Sequence, residues 1–101
     1  MLESSGFQVV GTAENGEKAI QIYNKFPIKP DLILMDHRMP VKNGIEATKE
    51  ILLINGKSKI IFLSADKSVK KLAFDSGAVG FLAKPFSFES LVNEIKLILN
   101  A

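Results

Sequence analysis

Three residues with complementary chemistry each follow a short apolar run. Asp36 follows Leu32-Ile33-Leu34-Met35, Ser64 follows Ile60-Ile61-Phe62-Leu63, and Lys84 follows Val79-Gly80-Phe81-Leu82-Ala83. A carboxylate, a hydroxyl and an ammonium can together accept and hold a phosphoryl group. The carboxylate would be the nucleophile, the hydroxyl a hydrogen-bond donor and the lysine a counter-charge. Phosphoryl transfer needs little beyond such positioning and a cation. Taken singly, none of the three is diagnostic. An aspartate or serine often closes a strand and solvates a turn, and a lone lysine is usually a surface charge. The signal is their coincidence at three strand ends.

The elements that must position them follow from periodicity. Residues 7–13 read as a short strand. Asn15-Gly16 opens a helix whose Ala19, Ile22, Tyr23 and Phe26 share one face, and Pro27 and Pro30 end it. Residues 31–36 form the next strand, and its continuous apolar run predicts burial on both faces. Asn43, with Glu46 three residues on, reads as a capping box for a helix with Ile45, Thr48, Ile51 and Leu52 inward. That helix stops near Asn55-Gly56. Residues 59–65 are the third strand. Asp66 caps a helix with Val69, Leu72 and Ala73 inward, which Gly77 terminates. Residues 79–83 are the fourth strand, and Ser87 caps a last helix carrying Leu91, Ile95, Ile98 and Leu99 on one face. The order β-α-β-α-β-α-β-α predicts an α/β fold, a parallel sheet with helices on both faces. In such a sheet Asp36, Ser64 and Lys84 would share the carboxyl edge, where open α/β sheets build their sites.

Composition narrows the function classes. The 101 residues suit one domain, residues 1–101, and 47% of them are hydrophobic, enough for a core. A net charge of +2 argues against a dedicated nucleic-acid or membrane surface. Lys67, Lys70 and Lys71 alternate with apolar residues at helical spacing and read as a solvated helix face. The absence of cysteine excludes disulfides, thiolate chemistry and cysteine-based metal sites. No apolar run approaches the ~18 residues of a membrane span, and no signal peptide is evident, so the expected location is cytoplasmic. His37 is the only histidine. It cannot form a metal cluster with a second one and reads as a loop residue without a chemical role.

The segment from Leu32 through Asp36, His37, Arg38, Met39 and Pro40 to Gly44, then Leu63-Ser64-Ala65 and Lys84-Pro85-Phe86, resembles the receiver domain of two-component response regulators. The intervals between Asp36, Ser64 and Lys84 also fit, and the resemblance covers essentially the whole chain. It implies a flavodoxin-like fold in which Asp36 is the phosphoacceptor for a sensor histidine kinase or phosphotransfer protein. It implies that Ser64 is the switch hydroxyl, Lys84 the phosphate-facing lysine and Phe81 the switch aromatic. It further implies a cis bond between Lys84 and Pro85, and Mg²⁺ as the cofactor. Phosphate on Asp36 would draw Ser64 toward it, Phe81 would pack inward, and the surface of the last two helices and the fourth strand would change its affinity for an output partner.

The pattern departs from the family at its start. A receiver opens with an apolar strand ending in two acidic residues, whereas Met1-Leu2-Glu3-Ser4-Ser5-Gly6 resembles the last turns of the helix that follows. Met1 reads as an internal methionine. The expectation is a receiver N-terminally truncated to about four strands, with the acidic pair absent. Of the metal ligands only Asp36 and the backbone carbonyl of Arg38 stand at matching positions, which predicts weak or absent Mg²⁺ binding and poor phosphorylation. Glu14 and Asp66 follow strands, but nothing in the sequence makes them substitutes. Unpaired edges beside the missing strand would recruit other strands, so the sheet either closes up within one chain or completes itself in a homodimer. Two other functions compete. An aspartyl-phosphate enzyme of the haloacid-dehalogenase type would need an aspartate where Arg38 stands, so the chain is not expected to be an enzyme. A receiver-like interaction module would bind partners without phosphorylation.

Overall fold

Gly16–Lys25 forms α1, with Glu17 in its first turn and Lys25 in its last, each matched to the helix dipole. The structure, a computed structural model, describes residues 16–36 and 44–100. The helix ends ahead of Pro27, and Lys29 closes it by donating from Nζ to the carbonyls of Tyr23 (2.7 Å) and Phe26 (3.0 Å). The same ammonium lies 4.7 Å from the centre of the Tyr23 ring, a cation–π contact. β1 follows at Ile33–Asp36, α2 at Gly44–Ile54 and β2 at Ile60–Ser64. A 3-10 helix, Lys67–Val69, leads directly into α3 at Lys70–Ser76, and β3 (Gly80–Ala83) and α4 (Phe88–Leu99) complete the described chain. The expected strand at 7–13 and the Asn15 and Asn43 caps lie outside the described residues.

The strands β1, β2 and β3 lie side by side in that order, and both pairings are parallel. Ile33 aligns with Ile60 and Asp36 with Leu63; Ile61 aligns with Gly80 and Ser64 with Ala83. β2 is the centre of the described sheet and is buried on both faces, with Ile60, Ile61 and Phe62 fully enclosed. Alternation along the strand sends these side chains to two different cores. Ile60 and Phe62 join Met35, Tyr23 of α1, Ala47 and Ile51 of α2, Val69, and Ala73 of α3. Ile61 joins Leu91, Ile95 and Ile98 of α4, with Leu34, Leu63 and Leu82 packed alongside. Thus α1, α2 and α3 cover one face and α4 the other, as the α/β reading requires. Each fully buried Ile or Phe contributes about 1.5–3 kcal/mol.

Helix ends follow the expected chemistry. Ser87 caps α4 by accepting the Ser90 N–H at 3.0 Å, and Lys59 donates from Nζ to the Ile98 carbonyl in the last turn of α4 at 3.2 Å. Gly77 ends α3 with φ +113°, its N–H reaching the carbonyls of Ala73 and Phe74. A Cβ at Gly77 would stand 2.3 Å from Leu52 Cδ1 as well as suffer the left-handed backbone. The Gly77→Ala variant is therefore expected to lose about 1–2 kcal/mol, read as a lowered urea midpoint at unchanged slope.

Two expectations need correction. Leu72 is 56% exposed and does not face the core, which Val69 and Ala73 line. Successive residues of an α-helix turn by about 100°, so with Val69 and Ala73 against the core Leu72 falls off that face. Asp66 caps the 3-10 helix that leads into α3. Val79 lies before β3 and is 48% exposed, although its N–H still bonds the Ile60 carbonyl at 2.9 Å. Lys67, Lys70 and Lys71 are exposed as expected, and Lys71 pairs with Asp75 one turn on.

Candidate functional site

The parallel register brings the chemistry to one edge. Asp36 is the last residue of β1 and aligns with Leu63, one residue before Ser64. Ser64 is the last residue of β2 and aligns with Ala83, one residue before Lys84. Neighbouring strands stand about 4.8 Å apart, so the three positions form a staggered row across the carboxyl ends of three adjacent strands. A backbone bond fixes the stagger between the second and third: the Lys84 N–H donates to the Ser64 carbonyl at 2.8 Å. Lys84 is half-buried and joined to Pro85 by a cis peptide bond.

Ser64 is 2% exposed, which is unusual for a serine at a strand end. Its Oγ accepts the Asp66 N–H at 3.0 Å and lies 3.5 Å from the Asp66 carbonyl. Alternation puts Ser64 on the same face of β2 as Phe62. Phe81 aligns with Phe62 and packs, half-buried, against that same core. Ser64 and Phe81 therefore share one face on adjacent strands, two residues apart in register. That is the geometry in which a moving hydroxyl and a moving ring could affect one another.

The segment after Asp36 is anchored at its far end. Gly44 opens α2 with its Cα against the sheet, and a Cβ there would meet Phe62 Cζ at 2.8 Å and Met35 Cγ at 3.0 Å. Glycine at 44 lets the helix start directly on β1 and β2. His37 and the Arg38 carbonyl, the latter proposed for metal, lie outside the described residues, as does Glu14. Among the described residues no group of three His, Cys, Asp or Glu side chains could hold a metal ion. Asp66 Oδ1 is turned to the Ser68 N–H (2.9 Å) and hydroxyl (2.6 Å). The described carboxylates thus do not assemble an octahedral oxygen set.

Sequence reasoning missed the partner of Ser64. Asp66 was legible as a cap from its type and place, but its main-chain N–H as the clasp on Ser64 was not. A serine two residues before an Asx cap was the only hint, and it is a weak one. Among the described residues no helix is long and apolar enough to cross a membrane.

Comparison with known proteins gives one answer. The family model described as "Response regulator receiver domain" matches residues 1–96. The chain is 39% identical to the chemotaxis protein CheY of Bacillus subtilis over 102 residues, which cover 99% of this chain and 83% of that one. Among solved structures it is similar to the response regulator TrrA of Thermotoga maritima in complex with Mg²⁺ and beryllofluoride. There the TM-score is 0.84 at 29% identity, covering 96% of this chain and 82% of that one. It is also similar to a chain of the CheX–CheY–beryllofluoride–magnesium complex of Borrelia burgdorferi. That match has a TM-score of 0.89 at 26% identity and covers 95% of this chain and 73% of that one.

Proposed function

Since the chain belongs to the response regulator receiver domain family, we propose that Asp36 is its phosphoacceptor, with Lys84 and Ser64 holding the phosphoryl oxygens. The observation that carries this reading is the register placing Asp36, Ser64 and Lys84 at the ends of three adjacent parallel strands. In the proposed reaction a carboxylate oxygen of Asp36 attacks the phosphorus of a phosphohistidine on a sensor kinase or phosphotransfer protein. The O–P bond forms as the P–N bond breaks, and the partner's imidazole leaves with the electron pair. Lys84 balances charge on the transferred oxygens, and the Ser64 hydroxyl donates to one of them.

Receiver domains act in two-component signalling, and this chain is read as a switch and not as an enzyme. Once Asp36 carries phosphate, Ser64 leaves Asp66 and turns toward the phosphoryl group. Phe81 then repacks on the shared face, and the surface formed by α3, β3 and α4 alters its affinity for an output partner. The Borrelia CheY was crystallised in complex with CheX, a precedent for a protein partner binding a receiver. We place the chain in the cytoplasm with its kinase. Relatives bind Mg²⁺ with a phosphoryl mimic. Asp36 and the Arg38 carbonyl are the residues proposed to contribute oxygen ligands to such an ion here.

The test is intact-mass spectrometry after incubation with acetyl phosphate and excess MgCl₂. One added phosphoryl group is expected, lost at alkaline pH as an acyl phosphate is. A chain that stays unmodified yet captures the cognate output protein would instead be a phosphorylation-independent interaction module.

A further inference from the structure

The Ser64 hydroxyl, which the switch needs, is already engaged. Its acceptor lone pair takes the Asp66 N–H at 3.0 Å, and the Asp66 carbonyl lies at 3.5 Å, a weak second contact. At 2% exposure, water does not compete for it. Asp66 is itself pinned on its other side. Its Oδ1 accepts both the N–H and the hydroxyl of Ser68, and its carbonyl accepts the Val69 N–H at 3.3 Å. The cap residue is extended, with φ −99° and ψ 103°. One residue therefore binds the switch hydroxyl with its main chain and the start of the 3-10 helix with its side chain.

We infer that Asp66 is a positioning residue: its cap on Ser68 holds its own N–H against Ser64 and so sets how readily the Ser64 hydroxyl is released. This deepens the reading of Ser64 as the switch and rests on it. Release of the hydroxyl strands the Asp66 N–H unless the backbone at 66 rotates toward water. The two bonds from Ser68 to Oδ1 oppose that rotation. Weakening them makes release easier while Ser64, Asp36 and Lys84 keep their identities. Asp66 and Ser68 are exposed, so substitution there leaves both cores intact.

The experiment measures amide exchange at residue 66 by NMR on the unphosphorylated full chain, corrected for intrinsic rates, with central-strand amides of β2 as the reference for global opening. Ser64→Ala should remove the protection. Asp66→Ala should raise exchange about fivefold, the factor associated with losing a cap. Asp66→Asn, which keeps an Oδ1 acceptor for both Ser68 donors, should stay near wild type. In parallel, acetyl phosphate should modify Asp66→Ala about three- to fivefold faster than wild type, with Asp66→Asn unchanged. Unchanged exchange in Asp66→Ala, equal effects of Ala and Asn, or faster exchange without faster phosphorylation would each overturn the inference. If no chain, wild type included, takes phosphate while exchange behaves as expected, the phosphoacceptor reading fails and the positioning contact stands.

Discussion

Replacing Asp36 with Asn is expected to abolish acetyl phosphate-dependent modification completely while leaving the fold in place. The amide is nearly isosteric with the carboxylate, but its nitrogen lone pair is delocalised and its oxygen carries no full charge, so the nucleophile is lost. Asp36 is the last residue of β1, and β1 is held to β2 by a ladder from Ile33 onward. The ladder does not depend on the identity of that final side chain. The denaturation midpoint should therefore move little. The matched control is Asp75→Asn. Asp75 is an exposed aspartate whose carboxylate pairs with Lys71, at 2.9 Å, across a helical turn. Such exposed pairs contribute well under about 1 kcal/mol, so this variant should be modified at the wild-type rate. The contrast separates loss of the acceptor from loss of an arbitrary negative charge.

The second large effect is expected at Lys84. Truncation to Ala should slow modification of Asp36 by about 10²–10³-fold, the usual consequence of removing one charged or hydrogen-bonding group aimed at developing charge. Lys84→Arg should not restore the rate. A planar guanidinium fork differs in shape from a compact ammonium, and the position follows directly on a register set by the main chain. That register is protected from the mutation. The bond from the Lys84 N–H to the Ser64 carbonyl is main chain to main chain, and truncation removes packing of a half-buried aliphatic stem. The modification rate should thus fall steeply with small loss of stability. Equal falls in rate and stability would point to a structural lysine.

The residues bearing chemistry were legible because each closes an apolar run, and burial of those runs is what the sheet demands. Ile61 and Phe62 fill opposite cores of β2, and a continuous apolar run is the sequence mark of such a strand. The Ser87 and Gly77 caps were legible for the same local reason: cap chemistry acts within four residues. What escaped was long-range or phase-dependent. Leu72 fits a three-residue spacing with Val69, yet the core takes Val69 and Ala73, and Leu72, one residue or about 100° from Ala73, is left 56% exposed. Tyr23 was assigned to a buried face, but its hydroxyl bonds Ser58, far along the chain. That bond joins α1 to the turn before β2 and explains why Ser58 is buried. No local pattern announces such a pair. Within the site, the placement of Asp36, Ser64 and Lys84 came from strand order, whereas the clasp of Asp66 on Ser64 needed three-dimensional geometry.

The central claim is that Asp36, and no other side chain, takes the phosphoryl group. Its most direct test is borohydride trapping after acetyl phosphate treatment, followed by peptide sequencing. Hydride reduces an aspartyl phosphate to the alcohol and leaves serine phosphate esters intact. The account predicts reduction at position 36 alone, and none in the Asp36→Asn chain. Reduction at another carboxylate, or a stable phosphate ester on Ser64 with position 36 unmodified, would contradict it.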